Sequence, residues 1–180
     1  MANELTLSRW WTWAVPARNA DWDALYATEL PRVYNFFRYR VGAGAVAEDL
    51  TSITFEKAWR ARDRYRRDLA AFSTWLMTIA RNVAVDHYRQ QRAFVPLEDA
   101  AQLPAGATPE DEAERRSDLE QLGVLLERLP ARERELIALK YGAELSNRAI
   151  ARLTGLSESN VGTILHRTIL GLRAEWPEGV

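Results

Sequence analysis

Cysteine is absent from this sequence, and histidine occurs only at His87 and His166. Disulfide bonds and cysteine-ligated zinc are therefore excluded, and a histidine-rich metal site is not expected. The absence of cysteine agrees with a reducing cytoplasm, which is the location we expect. Long apolar runs are also missing: none approaches the ~20 residues that a membrane-spanning helix needs, so membrane insertion is not expected.

Signals for β-strands and for enzyme active sites are missing as well. The sequence contains no sustained apolar–polar alternation and no Asn-Gly hairpin turn. It also has no glycine-rich phosphate loop, no metal-ligand spacing and no nucleophile with a neighbouring base. The pair Asp86-His87 lacks the further histidines that a metal hydrolase needs. An enzyme is therefore not expected, and neither is a cofactor or a metal.

The net charge of −1 hides a strong segregation of charge along the chain. The segment from Arg60 to Arg92 contains eight arginines and three aspartates, whereas the segment from Ala93 to Glu120 contains eight acidic residues and two arginines. A basic block followed by an acidic one indicates different partners for different segments. The alternative for either block is a solvated helix face.

Helical periodicity dominates the chain and predicts an all-α protein. Three helices are expected first, over residues 21–41, 47–62 and 72–92. A segment with Pro96, Pro104, Gly106 and Pro109 then interrupts the pattern and is typical of a linker. Helical spacing returns over residues 119–129, 131–141, 147–154 and 159–176. We therefore predict two small helical domains (21–93 and 118–180) joined by a flexible acidic linker (94–117), after an N-terminal extension (1–20).

Residues 147–164 have the spacing of a helix-turn-helix. Gly155 lies where the turn needs a positive φ, Ser157 is a good N-cap for the second helix, and Ala151 is small where the helices cross. Val161 and Ile164 are apolar where the second helix packs on the first. The second helix of such a motif enters the DNA major groove. The candidates for base contacts are Ser159, Asn160, Thr163, His166 and Arg167. An unrelated helical hairpin, with these residues on plain helix surface, is the alternative.

Three segments, residues 47–59, 72–92 and 129–139, closely resemble the extracytoplasmic-function (ECF) family of RNA polymerase sigma factors and occur in the family's order. The resemblance covers about residues 22–172. It implies that the first domain is sigma region 2, which binds core RNA polymerase and opens promoter DNA. It implies that the second domain is sigma region 4, which binds the minus-thirty-five element. It also implies control by an anti-sigma factor.

The resemblance further implies two sets of contact residues in the first domain. Polymerase contacts are expected on the second helix, at Glu48, Asp49, Leu50 and Phe55; for Leu50 and Phe55 a core position is the alternative. Contacts with the minus-ten element are expected in a loop and on the third helix, where the loop and an asparagine form a pocket for an unstacked base and the arginines contact phosphates. These residues are Tyr65, Arg66, Arg67, Arg81, Asn82, Arg89 and Arg92.

The chain departs from the family pattern at several positions. Ser52 and Ile53 replace a Gln-Glu pair that is frequent in the second helix, and Gly162 and Ile164 stand where the recognition helix usually carries basic residues. Phosphate anchoring by the second domain is therefore expected to be weak. The alternative function is a conventional helix-turn-helix regulator that does not act as a polymerase subunit.

Overall fold

The structure is a computed structural model that describes residues 20–66, 68–94 and 110–176. Within these ranges every regular element is a helix, as the periodicity predicts. The predicted N-terminal extension up to residue 19, the predicted DNA contact Arg67 and residues 95–109 of the predicted linker lie outside the described residues. No helix in the described ranges is long and apolar enough to cross a membrane.

The first domain is built from three long helices: α1 (Ala20–Val41), α2 (Ala45–Ala61) and α3 (Phe72–Phe94). Gly42 and Gly44 separate α1 from α2 and have φ values of 91° and 103°, which glycine adopts at little cost. A short 3-10 turn, Arg62–Arg64, leads out of α2. The apolar stripes of the three helices meet in a shared core that includes Val33, Phe36, Phe37, Leu50, Phe55, Leu76 and Met77. Full burial of each large side chain stabilises the fold by about 1.5–3 kcal/mol.

The second domain begins with α4 (Glu110–Arg128), which starts within the segment predicted as linker. The acidic sequence at residues 110–112 explains the difference, because acidic residues are favourable at a helix N-terminus. Four further elements follow: α5 (Ala131–Ile137), a π-helical turn (Ala138–Gly142), α6 (Asn147–Thr154) and α7 (Glu158–Glu175). Their core side chains include Leu136, Ile137, Leu139, Ile150, Val161 and Leu165.

The two domains pack against each other, and their buried apolar residues form one continuous cluster. Helix α1 packs on the π-helical turn, where Gly142 lies against the backbone of Asn35. Polar contacts flank this seam: an Arg40 guanidinium nitrogen donates to the Ala131 carbonyl oxygen at 2.9 Å, and Arg32 pairs with Glu144 at 3.2 Å. We refer to this packing as the closed arrangement.

Candidate nucleic-acid interface

Helices α6 and α7 form the predicted helix-turn-helix. Gly155 ends α6 with a φ of 73°, the left-handed conformation that the sequence predicts at the turn. The Ser157 hydroxyl accepts a hydrogen bond from the Asn160 backbone N–H at 3.2 Å and so caps α7. Val161 is buried and Ile164 is half-buried between the helices. The predicted turn, cap and packing positions are therefore confirmed.

The exposed face of α7 carries every residue predicted to contact the minus-thirty-five element. The side chains on this face are Ser159, Asn160, Thr163, His166 and Arg167. The Thr163 hydroxyl donates to the Ser159 carbonyl oxygen at 3.0 Å, so its acceptor capacity remains open. Among the described residues, Arg167 has no ion-pair partner, so its guanidinium is available to a phosphate or a base edge. The placement permits DNA contact, which remains a prediction.

An aromatic cluster supports the loop between α2 and α3. The Tyr65 ring lies 5.3 Å from the Phe72 ring and 5.2 Å from the Trp75 ring, and the Trp22 ring contacts Phe72 edge-on at 5.8 Å. The Tyr65 hydroxyl donates to the Ala70 carbonyl oxygen at 3.1 Å, which closes the loop on itself. Tyr65 is thus a structural support of the loop, and its ring is largely engaged by its neighbours.

Arg66 is held in the loop by Asp68. Two guanidinium nitrogens donate to the two carboxylate oxygens at 3.0 and 2.8 Å. These hydrogen bonds lower the pKa of the Asp68 carboxyl and raise the pKa of the Arg66 guanidinium. Both side chains are exposed, so the pair is screened by solvent and its contribution to stability is small. Arg66 can therefore exchange Asp68 for a phosphate at low cost.

Helix α3 presents its predicted DNA residues unequally. Asn82 and Arg89 are exposed, whereas the side chain of Arg92 is outside the described residues. Arg81 is only 24% exposed and forms an ion pair with Glu135 of α5, with 2.9 Å between nitrogen and oxygen. It also donates to the Leu153 carbonyl oxygen of α6. In the closed arrangement Arg81 is therefore engaged by the second domain and is not available to DNA.

Two sets of contacts made by charged side chains could not be predicted from the sequence. Glu135 and Leu153 are separated from Arg81 by 54 and 72 residues, and no local pattern indicates that they meet. Asp86 pairs with Lys57 of α2 at 3.4 Å, although Arg89 lies only three residues further along its own helix. The Lys57–Asp86 pair joins α2 to α3 across the first domain.

Helix α2 divides its predicted polymerase-binding residues between two faces. Glu48 and Asp49 are exposed, next to the exposed apolar side chains of Val46 and Ile53. Leu50 and Phe55 are only 5% and 2% exposed. Both lie in the core because their spacing follows the buried stripe of the helix, so they support the helix and do not form a contact surface.

No group of three or more potential metal ligands occurs in the described part of the chain.

Comparison with known proteins identifies both domains. Sigma-70 region 2 matches residues 25–94, and Sigma-70 region 4 matches residues 119–170. The chain is 38% identical to the RNA polymerase sigma factor CarQ of Myxococcus xanthus over 154 residues, which cover 83% of this chain and 85% of CarQ. It is 32% identical to the ECF RNA polymerase sigma factor BldN of Streptomyces coelicolor over 157 residues, covering 86% of this chain but 60% of BldN.

A solved structure has the same helical fold. The sigma factor RpoE of Bartonella quintana, determined in complex with the anti-sigma factor NepR, aligns with a TM-score of 0.67 and 25% identity. The alignment covers 86% of this chain and 95% of RpoE, so it includes both helical domains. Together with the two matched regions in their family order, these similarities show that the chain belongs to the ECF family of RNA polymerase sigma factors.

Proposed function

We propose that this chain binds core RNA polymerase and directs promoter-specific initiation by recognising and melting promoter DNA. The observation that carries the proposal is the presence, in one chain, of a helix-turn-helix with an exposed recognition face and a separate domain that matches sigma region 2. A conventional regulator needs the first of these but not the second. The protein works in the cytoplasm, where polymerase and promoters are, and catalyses no reaction of its own.

Polymerase binding is assigned to the outer face of α2. This face combines the carboxylates of Glu48 and Asp49 with the exposed apolar side chains of Val46 and Ile53. A mixed acidic and apolar surface suits a partner that offers basic residues around an apolar centre, because the charges steer and orient while apolar burial supplies affinity. Leu50 and Phe55 fix this face from inside the core.

Promoter melting is assigned to the loop at residues 65–71 and to Asn82. Taking a base out of the DNA stack costs a few kcal/mol, and the protein must compensate with contacts to the extruded base. The exposed Asn82 amide offers both donors and an acceptor, which is the chemistry needed to read a base edge. The exposed Arg66 and Arg89 supply phosphate contacts beside it.

The second domain holds the minus-thirty-five element through α7. Its five exposed candidates are mostly uncharged, and Arg167 is the one arginine among them. Each phosphate neutralised by a cationic side chain adds about 0.9 to the slope of log affinity against log salt. The expected slope for the isolated second domain is therefore shallow, and specificity depends on hydrogen bonds to bases and on the first domain.

Promoter engagement requires the closed arrangement to open, since Arg81 is bonded to Glu135 and Leu153. The RpoE structure was determined with an anti-sigma factor bound. By analogy we propose that an anti-sigma factor also binds this chain and keeps its DNA-binding and polymerase-binding faces masked. Release from that partner then precedes polymerase binding.

The test is titration of the purified chain into core RNA polymerase, followed by abortive transcription on a pool of promoter-like fragments. Complex formation with initiation restricted to some templates is the expected result. The paired substitution Glu48→Lys and Asp49→Lys should reduce polymerase affinity, whereas the matched double reversal Glu158→Lys and Glu175→Lys on α7, at two exposed carboxylates, should not. Specific DNA binding by a chain that does not bind core polymerase would instead support the conventional regulator.

A further inference from the structure

A groove of about 530 Å³ lies between the two domains, at the end of the seam. Its walls come from α1 and α3 on one side and from α5 on the other. The lining residues are Arg40, Val85, Tyr88, Arg89, Ala131 and Arg134. Its volume is in the range of small-molecule sites, about 300–1,000 Å³. The groove lies outside the helix-turn-helix and the exposed face of α2, and it shares only Arg89 with the proposed minus-ten contacts.

Among the residues that the structure describes, three arginines and no carboxylate line the groove. Arg40 is only 7% exposed; one of its nitrogens donates to the Ala131 carbonyl oxygen, and its guanidinium lies over the Tyr88 ring at 5.2 Å. Its Nε is buried without a hydrogen-bond partner, and so is the Nε of Arg134. Within the described residues none of the three arginines has an ion-pair partner. Buried positive charge without a compensating anion is costly.

We infer that this groove binds the phosphate groups of a small phosphorylated molecule. One Arg134 nitrogen already donates to the carbonyl oxygens of Glu127 and Leu129, so the free donors in the groove are the remaining guanidinium groups, above all that of the exposed Arg89. Phosphate oxygens accept strong, charge-assisted hydrogen bonds from such groups. Val85 and the Tyr88 ring add an apolar wall, which suits an organic body attached to the phosphates. A DNA backbone is a poorer occupant, because Arg40 is nine-tenths buried between the domains and a duplex cannot reach it.

The site requires both domains in the closed arrangement, since α5 contributes Arg134 and α1 and α3 contribute the rest. A ligand that binds only one arrangement stabilises it in proportion to the logarithm of its concentration relative to its Kd. The phosphorylated molecule therefore favours the closed arrangement over the open one. Conversely, a change that separates the domains weakens ligand binding, even when all three arginines remain.

The experiment is calorimetric titration of inorganic pyrophosphate into the full chain, with sodium chloride of equal ionic strength as the reference. Arg89 is exposed and has no partner among the described residues, so Arg89→Gln should leave the fold intact. This substitution should weaken pyrophosphate binding about tenfold or more, the effect expected from a lost charge-assisted hydrogen bond. The matched control, Arg152→Gln, removes an exposed arginine of α6 outside the groove and should leave Kd unchanged.

Two further variants test whether pyrophosphate binding depends on the groove itself and not only on the net positive charge of the protein. Gly142→Ala, which places a methyl group in the seam, should weaken pyrophosphate binding while it keeps every groove arginine. Arg134→Gln should weaken pyrophosphate binding but not the binding of non-promoter duplex DNA. Absence of pyrophosphate binding, equal losses in Arg89→Gln and Arg152→Gln, or a parallel loss of DNA binding in Arg134→Gln would overturn the inference.

Discussion

The seam between α1 and the π-helical turn leaves no room for a side chain at Gly142. A Cβ atom added there would lie 2.8 Å from the Asn35 carbonyl oxygen and 2.9 Å from both the Asn35 carbonyl carbon and the Phe36 nitrogen. All three are backbone atoms of a helix, so they cannot move aside by changing rotamer. Gly142 is not among the glycines with positive φ, and its own backbone therefore accepts alanine. Gly142→Ala should separate the two domains without unfolding either.

The size of the effect follows from the cost of overpacking. Inserting a methyl group into a well-packed contact costs typically 1–3 kcal/mol. If this cost falls on the closed arrangement alone, the equilibrium shifts toward the open one by about 5- to 150-fold. When only the open form binds DNA, the apparent Kd is the intrinsic Kd divided by the fraction of molecules that are open. A larger open fraction therefore lowers the apparent Kd, and the variant should bind promoter DNA more tightly by up to the same factor.

Small-angle X-ray scattering and fluorescence anisotropy with a promoter fragment measure the two consequences of Gly142→Ala. The radius of gyration should rise, and the Kd for DNA should fall. Gly171→Ala is the matched control: it makes the same exchange in α7, where an added Cβ meets nothing within 4 Å. Equal radii of gyration and equal DNA affinities in the two variants would refute the argument that the closed arrangement masks the DNA surface.

Other substitutions test single assignments. Asn82→Ala should impair promoter opening, followed by permanganate reactivity of unpaired thymines, more than polymerase binding; equal losses would contradict a base pocket. Arg167→Ala should weaken upstream-element binding and lower the salt slope by about 1, and an unchanged slope would place the recognition helix elsewhere. Ser157→Ala should lower the free energy of unfolding in urea by about 1 kcal/mol, because the Asn160 N–H loses its cap. Burial raises the pKa of Glu29 despite the opposing effect of Arg32, so stability should decrease as pH rises through that raised pKa. Glu29→Gln should remove this decrease in urea unfolding measured against pH.

The helical elements could be predicted from the sequence because their signals are local. Apolar spacing places α6 at the observed residues, and Gly155 and Ser157 mark the turn and the cap, since each position requires a particular backbone conformation or side-chain acceptor. The start of α4 could not be placed in the same way. Its first residues are acidic and follow a proline-rich segment, a pattern that favours linker and helix N-terminus alike.

The contacts between the domains could not be predicted from local patterns in the sequence. In the sequence, Gly142 is a helix breaker between two apolar segments, and only its distance from Asn35 in the structure gives it a packing role. From the sequence alone, Arg81 cannot be distinguished from the other arginines of α3. Whether its guanidinium is available to DNA depends on the carboxylate of Glu135, which lies 54 residues away in the chain. Leu50 and Phe55 illustrate a related limit: a motif shared by a family includes residues that build a binding helix as well as residues that bind.

The seam also has a consequence for synthesis on the ribosome. Asn35 and Gly142 are more than a hundred residues apart, so α1 emerges and folds with α2 and α3 long before its partner in the second domain exists. From the end of α3 at Phe94 to Glu135 the ribosome adds about 40 residues, which at a translation rate of about 5–20 residues per second takes on the order of 2–8 s. During that time the nascent first domain has Arg81 free, because neither Glu135 nor Leu153 has been made. Every newly made molecule therefore passes through a stage in which Arg81 lacks the partners that it has in the complete chain.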